Sequence, residues 1–244
     1  MHLDHQKILE KYKSYNITVD EAKIKKAVEF AIKYHGIQQR ASGVPYYSHP
    51  LEVAEIIAEM RLDTDSIITA ILHDTIEDTD LTLEEIEENF GKDVAKLVDG
   101  VTKQAENFRK LLIALSDDIR VLLIKLADRL HNMRTIDFIS NPEKKKKIAL
   151  ETLELYAPLA ERIGMQQIKT ELQDICFGIL NPDIRESIVQ RFKSIELESG
   201  QNKFIPQIIN ELQKTLEVQG LKAEVSGRKK NSLFHVDENE AKKY

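Results

Sequence analysis

The sequence predicts an all-α protein, from the spacing of its apolar residues and from the signals that begin its helices. Apolar residues recur at helical spacing along most of the chain, and capping residues precede these stretches. A single extended loop of special composition, QQRASGVPYYSHP, separates the predicted helices. We expect a helical bundle of about ten or more helices, with a small helical extension at the C-terminal end.

Composition and charge argue against several classes of protein. The formal net charge of −6 argues against general binding to DNA or RNA, which depends on a basic surface. The start, MHLDHQKILEKY, is not typical of a secretory signal, and no apolar run is long enough to span a bilayer. We therefore expect a cytoplasmic protein that binds neither nucleic acid nor membrane. Cys176, the single cysteine, is expected to be a small core residue.

Pairs of residues predict where several helices start. Capping boxes are predicted at two places, Thr18 with Glu21 and Thr82 with Glu85. Asn141 and Asn181 each precede a proline, which is typical of an N-cap followed by the first helical residue. His49 also precedes a proline, so we expect it just outside a helix that runs to about residue 60.

The chain is predicted to divide into a large N-terminal domain and a smaller C-terminal part. Residues 1–181 carry the strongly apolar helices and form the expected main domain. Beyond them, RESIVQRFKSIE and IPQIINELQKTLEVQ are more polar and have fewer core residues. We expect residues 182–244 to form a linker or small appended bundle that ends in a charged tail.

Two predicted helices turn from apolar to polar within a few residues. The stretch AILHDTIEDTD, residues 70–80, begins apolar on nearly all sides, so His73 and Asp74 start from a buried position. The helix DDIRVLLIKLADRLHNMRT has two apolar faces, and the second one continues to Asp128. Because a buried carboxylate without a partner is costly, Asp128 needs a cation.

His49, His73, Asp74 and Asp128 together predict a metal site. Two imidazoles and two carboxylates suit manganese, iron or magnesium, and suit zinc less well without thiolates. Such a ligand set leaves room on a six-coordinate ion for water and a substrate oxygen. The sequence therefore predicts a site for a divalent ion and an oxygen-rich substrate.

Helical spacing places further polar residues near this site. Glu77 and Asp78 follow the predicted ligands by one turn, where they could orient and deprotonate a water molecule. Asn132 and Thr135 extend one face of the second helix as a polar strip that could contact a ligand.

Structural alternatives are open for several of these residues. A lone His-Asp dipeptide is a weak signal, and Asp128 could instead form a buried ion pair with Arg129. The metal prediction depends on two apolar helices that both turn polar at the ligand positions. The other histidines, His35, His131 and His235, are expected in the core, on the surface and in the tail, respectively.

Four motifs resemble the hydrolase half of the RelA/SpoT family, bifunctional enzymes that make and destroy the alarmone (p)ppGpp. They are RASGVPYYSHP, ILHDTIEDT, IKLADRLHNMRT and ETLELYAPLAERIGMQQIKTELQDICFGIL, and the similarity covers roughly residues 20 to 200. The resemblance implies an all-helical HD fold with one manganese ion, Mn²⁺. It also implies hydrolysis of the 3′-pyrophosphate of ppGpp or pppGpp to GDP or GTP and pyrophosphate.

The resemblance assigns roles to individual residues. The implied metal ligands are His49, His73, Asp74 and Asp128, and the implied water-activating acids are Glu77 and Asp78. The implied substrate-binding residues are Arg40 and Ser42 in the nucleotide pocket, Asn132 and Thr135 at the nucleoside, and Lys145 at the phosphates. Arg40 is expected to lie along the guanine, because a guanidinium plane stacks on bases. The lysines beside Lys145 are expected to be solvated.

Three features depart from the family pattern. Position 41 is alanine where many members carry a second basic residue, and Glu161 stands where histidine is usual. The loop between DGVTK and QAENFRK is shorter than in the family, which could change access to the site or its regulation.

The C-terminal end resembles the beginning of another family domain. EVSGRKKNSLF resembles the first phosphate-binding motif of the synthetase domain. We expect no alarmone synthesis by this chain alone, and a separate synthetase or regulatory polypeptide is a possible partner. Two alternatives to an alarmone hydrolase are open. One is a catalytically decayed member that binds guanine nucleotides, favoured by Ala41 and the shorter loop, and the other is a phosphohydrolase with a different nucleotide substrate.

Overall fold

The computed structural model describes residues 5–103 and 118–198, together with residues 210 and 214. The helices before residue 104 are α1 (His5–Ser14), α2 (Glu21–His35), α3 (Ser48–Glu59), α4 (Thr64–Leu72), α5 (Thr75–Asp78), α6 (Leu83–Phe90) and α7 (Lys92–Lys103). Those after residue 117 are α8 (Ile119–Arg134), a 3-10 turn (Ile136–Phe138), α9 (Pro142–Glu151), a π-helical turn (Thr152–Tyr156), α10 (Ala157–Arg162), α11 (Gln166–Leu180) and α12 (Pro182–Glu198).

The prediction of an all-α protein is confirmed. The described part of the chain contains no strand, only an isolated bridge between Gln39 and Pro45. Helix α4 packs against α2, α3, α7 and α8. Its residues 66–72 are all buried, which explains why this segment is apolar on nearly every side.

Two predicted helix caps are confirmed. The Oγ1 atom of Thr82 accepts a hydrogen bond from the backbone N of Glu85 at 3.2 Å. In return, Oε2 of Glu85 accepts one from the backbone N of Thr82 at 3.0 Å, which completes a capping box at α6. Asn141 caps α9, with Pro142 as the first helical residue.

Two helix starts differ from the prediction. Thr18 and Glu21 do not form the cap of α2. Asp20, which directly precedes the helix, accepts a backbone N–H of the first turn instead. Helix α3 begins at Ser48, so His49 lies in its first turn rather than just outside it.

Helices α7 and α8 come close together at Gly100. A Cβ atom at this position would lie 3.1 Å from Cγ2 of Val121, a buried residue near the start of α8. The distance between packed helices depends on the size of the side chains at the contact. Glycine has no side chain, so α7 can approach α8 closely at Gly100.

The chain forms two compact units, residues 1–172 and 173–244. The predicted domains, 1–181 and 182–244, stay a prediction.

Cys176 is buried, as expected of a small core residue. The shortened loop after Lys103, the motif EVSGRKKNSLF and His235 lie outside the described residues. In the segments that the structure describes, no helix has both the length and the apolar character needed to cross a bilayer.

Candidate metal and nucleotide site

The four predicted metal ligands meet where α3, α8 and the junction of α4 with α5 converge. Among the described residues, His49, His73 and Asp74 form a group whose possible ligand atoms all lie within 4.8 Å of one another. Asp128 reaches the same place from α8, and its Oδ1 lies 3.1 Å from Nε2 of His49 and 3.7 Å from Nε2 of His73. Side chains from three separate parts of the sequence are therefore brought around one point.

The imidazole of His73 is arranged to bind a cation. Its Nδ1 lies 2.8 Å from the backbone oxygen of Ala70, which can only accept, so Nδ1 carries the proton and donates it. In the neutral ring Nε2 then carries a lone pair. This atom is buried, lies 3.0 Å from Oδ1 of Asp74, and makes no hydrogen bond within the described residues. A lone pair beside carboxylates is unfavourable unless a positive charge lies between them, so these residues fit a divalent cation.

The same carboxylates hold a proton on His73 when no cation is bound. Burial lowers the pKa of His73, but the nearby Asp74 and Asp128 outweigh it and raise the pKa to about 10. Burial raises the pKa of Asp74, yet the charge of His73 brings it down to about 2. The site therefore keeps negative carboxylates that attract either a proton or a metal ion.

His49 contacts a second buried histidine, His131. Their Nδ1 atoms lie 2.7 Å apart, although the residues are 82 positions apart in the sequence. The prediction that His131 lies on the surface is wrong, because only 9% of this residue is exposed. Burial and the neighbouring His49 lower the pKa of His131 to about 3, so its ring is neutral. The expected core position of His35 is confirmed.

Glu77 and Asp78 lie on α5, one turn after the predicted ligands, and both line the cavity described below. Burial raises the pKa of Glu77. The hydroxyl of Tyr46 lies 2.8 Å from Oδ2 of Asp78 and 3.1 Å from Oδ2 of Asp74. Tyr46 therefore connects a predicted catalytic acid to a predicted metal ligand.

Arg40 lies in the loop between α2 and α3. Gly43 has φ of +82°, a value that favours glycine, and the loop turns back on itself there. The Nη2 of Arg40 donates to Oδ1 of Asn132 at 3.0 Å and to Oγ1 of Thr135 at 3.5 Å. Asn132 in turn donates to Oδ1 of Asp128 at 2.7 Å. A connected set of polar groups thus runs from the loop to the predicted metal site.

A cavity of about 540 Å³ covers these groups. Its lining includes the predicted residues Arg40, Ser42, His49, Asp74, Glu77, Asp78, Asp128, Asn132 and Thr135. Lys144 lines it as well, whereas the neighbouring Lys145 contacts Asp137. The Nζ of Lys145 lies 3.1 Å from the backbone oxygen of Asp137 and 3.6 Å from its Oδ1.

The sequence patterns missed further residues of the lining, among them Lys125, Lys144 and Phe138. Lys125 precedes Asp128 by three residues on α8, a spacing that could have revealed it. Lys144 lies in a run of four lysines, and which of them faces the cavity depends on how α9 packs. Phe138 is 56% exposed and belongs to the short 3-10 turn after α8, which has no helical periodicity to interpret.

Arg129 forms its ion pair away from Asp128. Its Nη2 donates to Oε1 of Glu151 at 2.9 Å, and its guanidinium lies over the ring of Tyr156, 4.0 Å from the ring centroid. The alternative in which Asp128 pairs with Arg129 is therefore not the arrangement in the structure. Asp128 faces the imidazoles instead.

A model of the HD domain family matches residues 27–166, a span that contains all of the predicted site residues. The chain belongs to the HD-domain family. Within this span, the predicted metal ligands come from helical segments that are far apart in the sequence.

Named relatives confirm the resemblance of this HD-domain protein to the RelA/SpoT group. The guanosine-3′,5′-bis(diphosphate) 3′-pyrophosphohydrolase of Aquifex aeolicus is 45% identical over 239 residues, which are 93% of this chain and 33% of the relative. The bifunctional (p)ppGpp synthase/hydrolase SpoT of Escherichia coli is 44% identical over 221 residues, 86% of this chain and 31% of that protein. The GTP pyrophosphokinase rsh of Brucella ovis is 46% identical over 235 residues, 91% of this chain and 31% of the relative.

The HD-domain protein thus spans about a third of the length of these curated relatives. A solved structure, described as a metazoan ortholog of SpoT that hydrolyzes ppGpp, resembles it with a TM-score of 0.57 and 27% identity. The match covers 67% of this chain and 98% of that one.

Proposed function

We propose that this HD-domain protein is a manganese-dependent hydrolase that removes the 3′-pyrophosphate of ppGpp or pppGpp. The products are GDP or GTP and pyrophosphate. The observation that carries the proposal is the meeting of two imidazoles and two carboxylates at the base of a cavity lined by both acids and lysines. The relatives named for ppGpp hydrolysis support the choice of substrate.

His49, His73, Asp74 and Asp128 would hold the metal ion. The lone pair on Nε2 of His73 and the two carboxylates support this assignment. Mixed nitrogen and oxygen donors without thiolates suit Mn²⁺. The ion would lower the pKa of a water molecule and offset negative charge on the phosphates.

Glu77 and Asp78 accept the proton of the attacking water. Burial, which raises the pKa of Glu77, makes this carboxylate a better base. The hydroxyl of Tyr46 holds the carboxylate of Asp78, while Nε2 of Gln38 donates to the backbone oxygen of Asp78 at 2.8 Å. As the water oxygen bonds to phosphorus, the bond from that phosphorus to the ribose 3′ oxygen breaks. The 3′ oxygen takes up a proton, which replaces the one given to the acids, and becomes the hydroxyl of GDP or GTP, and pyrophosphate is released.

The rest of the cavity binds the nucleotide. Arg40 lies along the guanine, Ser42 contacts the base or ribose, and Asn132 and Thr135 contact the nucleoside. Hydrogen bonds from Arg40 to Asn132 and Thr135 support this grouping.

Lysines bind the phosphates. Lys125 and Lys144 both line the cavity, so we assign this role to them. Lys145, the residue that the family resemblance implies, would have to leave Asp137 to take part.

The proposal is tested by product analysis on the full purified chain. With Mn²⁺ present, ppGpp should yield GDP and pyrophosphate in equal amounts. EDTA should stop the reaction, and added Mn²⁺ should restore it. Asp74→Ala should release no pyrophosphate, whereas Asp80→Ala, which changes an exposed acid close to α5, should keep the activity. Intact ppGpp after incubation with Mn²⁺, Mg²⁺, Fe²⁺ and Zn²⁺ in turn would refute the proposal.

A binding protein without turnover is the second candidate function. Ala41 lines the cavity where the resemblance suggests a second basic residue. The absence of that positive charge favours weaker binding of the phosphates. Calorimetry with ppGpp and Mn²⁺, followed by chromatography of the nucleotide, separates the two functions. A stable complex from which intact ppGpp is recovered would establish the second.

A further inference from the structure

A hydrogen bond joins two buried imidazoles behind the proposed metal ligands. Nδ1 of His49 on α3 and Nδ1 of His131 on α8 lie 2.7 Å apart, and the ring centroids are 4.7 Å apart. The two residues are 2% and 9% exposed. At this distance one ring must donate a proton and the other must accept it, because two lone pairs or two N–H groups would repel.

The other nitrogen of His49 decides the direction of this bond. Nε2 of His49 lies 3.1 Å from Oδ1 of Asp128 and 3.5 Å from Oδ2 of Asp74, on the face proposed to hold the cation. A neutral imidazole that binds a metal through Nε2 carries its proton on Nδ1. When His49 binds a metal in this way, its Nδ1 donates the hydrogen bond and Nδ1 of His131 accepts it.

We propose that His131 is a positioning residue of the metal centre, which accepts the Nδ1 proton of His49 and so holds that ring in the tautomer and orientation that bind a cation. The proposal rests on the metal site in the proposed function. Metal-binding histidines generally donate their second N–H to a carboxylate, a backbone carbonyl or water, and a neutral imidazole takes that place here.

The surroundings of His131 support a fixed acceptor. Its backbone oxygen accepts hydrogen bonds from the backbone N of Thr135 at 3.1 Å and from Oγ1 of Thr135 at 3.0 Å. The neighbouring apolar residues Leu130 and Met133 are buried, so the last turns of α8 are anchored in the core. A buried polar ring would cost stability there without a partner, and His49 supplies that partner.

The test compares two variants of the full chain, His131→Leu and His131→Asn. Leucine fills space but accepts no hydrogen bond, whereas Oδ1 of asparagine takes about the position of Nδ1. Mn²⁺ affinity is measured by the electron paramagnetic resonance signal of free Mn²⁺. We expect His131→Leu to weaken affinity by about 10- to 100-fold and His131→Asn to recover most of the loss.

Equal affinity in wild type and His131→Leu would overturn the proposal. So would equal losses in both variants when circular dichroism and thermal unfolding in EDTA show that both are folded, because the ring would then act by packing alone. Histidine ¹⁵N chemical shifts of Zn²⁺-loaded wild type provide a check that needs no variant. We expect Nδ1 of His131 to be unprotonated, and a protonated Nδ1 would contradict the proposal even if the leucine variant fails to fold.

Failure of the proposed function leaves a different result. Wild type that binds Mn²⁺ but leaves ppGpp intact would refute the hydrolase, while the affinities of the two variants would still decide the role of His131. Wild type that binds no divalent ion would refute both.

Discussion

The base of the cavity and its rim are built in different ways. At the base, His49 and His73 are buried side chains of packed helical segments, and their positions follow from the core. At the rim, Arg40 lies on a loop and Phe138 on a short 3-10 turn, and hydrogen bonds between side chains hold Arg40 in place. Buried packing resists movement more than a few partly buried hydrogen bonds do. Changes at the base should therefore abolish the reaction, and changes at the rim should alter substrate binding.

The largest effect is expected at the base, from Asp128→Asn. Loss of this charge should reduce pyrophosphate release by about 10³-fold or more, because it removes both a proposed metal ligand and negative charge. The rise in thermal unfolding temperature that Mn²⁺ produces should disappear as well. Asp137→Asn changes an exposed acid just beyond α8 and should keep both properties. An Mn²⁺-dependent rise that survives in Asp128→Asn would show that the base is not built as described.

Next in size are the acids on α5. Glu77→Gln and Asp78→Asn should each lower kcat by about 10² to 10⁴-fold, the range for loss of a general base. Mn²⁺ affinity should stay close to that of wild type, because neither residue is assigned as a ligand. Steady-state kinetics and Mn²⁺ titration measure the two quantities. If affinity falls together with kcat, the acids belong to the metal site rather than beside it.

Lys144 and Lys145 are adjacent on α9, but Lys144 lines the cavity and Lys145 contacts Asp137, so the two variants compare a lining residue with its neighbour. Lys144→Ala should raise KM about tenfold, since it removes a charge-assisted hydrogen bond to phosphate. Lys145→Ala should change KM by less than about twofold, because an exposed ion pair contributes little and this lysine already contacts Asp137. Initial rates over a range of ppGpp concentrations give both values. The reverse order would favour the family assignment of Lys145 over the observed contact.

The smallest effect is expected far from both regions, at the cap of α6. Thr82→Ala should lower the free energy of unfolding by about 1 kcal/mol, because it removes one half of the capping box. Both kcat and KM should be unchanged. Urea denaturation gives the first value and the pyrophosphate assay the others. Thr170→Ala is the control, since that hydroxyl donates to a backbone oxygen of its own helix. A kinetic change in Thr82→Ala would mean that α6 stability is coupled to the cavity.

Sequence patterns predict the base better than the rim, for a physical reason. His73, Asp74 and Asp128 interrupt helices that are otherwise apolar on nearly all sides, and this conflict is visible in the sequence alone. The structure places them together. His131 has no such local signal, because its partner His49 comes from another helix. Which of Lys144 and Lys145 faces the cavity depends on the rotation of α9, which is set by tertiary packing.

The caps teach the same lesson on a smaller scale. Thr82 and Glu85 satisfy each other within one turn, so the pattern identifies the start of α6. Thr18 and Glu21 have the same spacing, yet Asp20 stands closer to the first helical residue and takes the role. Two neighbouring residues could each cap α2, and the sequence alone does not show which of them does.

Gly100 makes the placement of Asp128 depend on a residue with no side chain. Val121 and Asp128 lie about two turns apart on α8. A methyl group at position 100 would press on Cγ2 of Val121, and where that side chain cannot give way the shift passes to α8, which also carries Asp128. Gly100→Ala could thus move Asp128 relative to the other proposed metal ligands, although all four ligands are still present in the sequence. A mutational screen for loss of activity would then identify Gly100 together with the catalytic residues, although its role is only to set the distance between two helices.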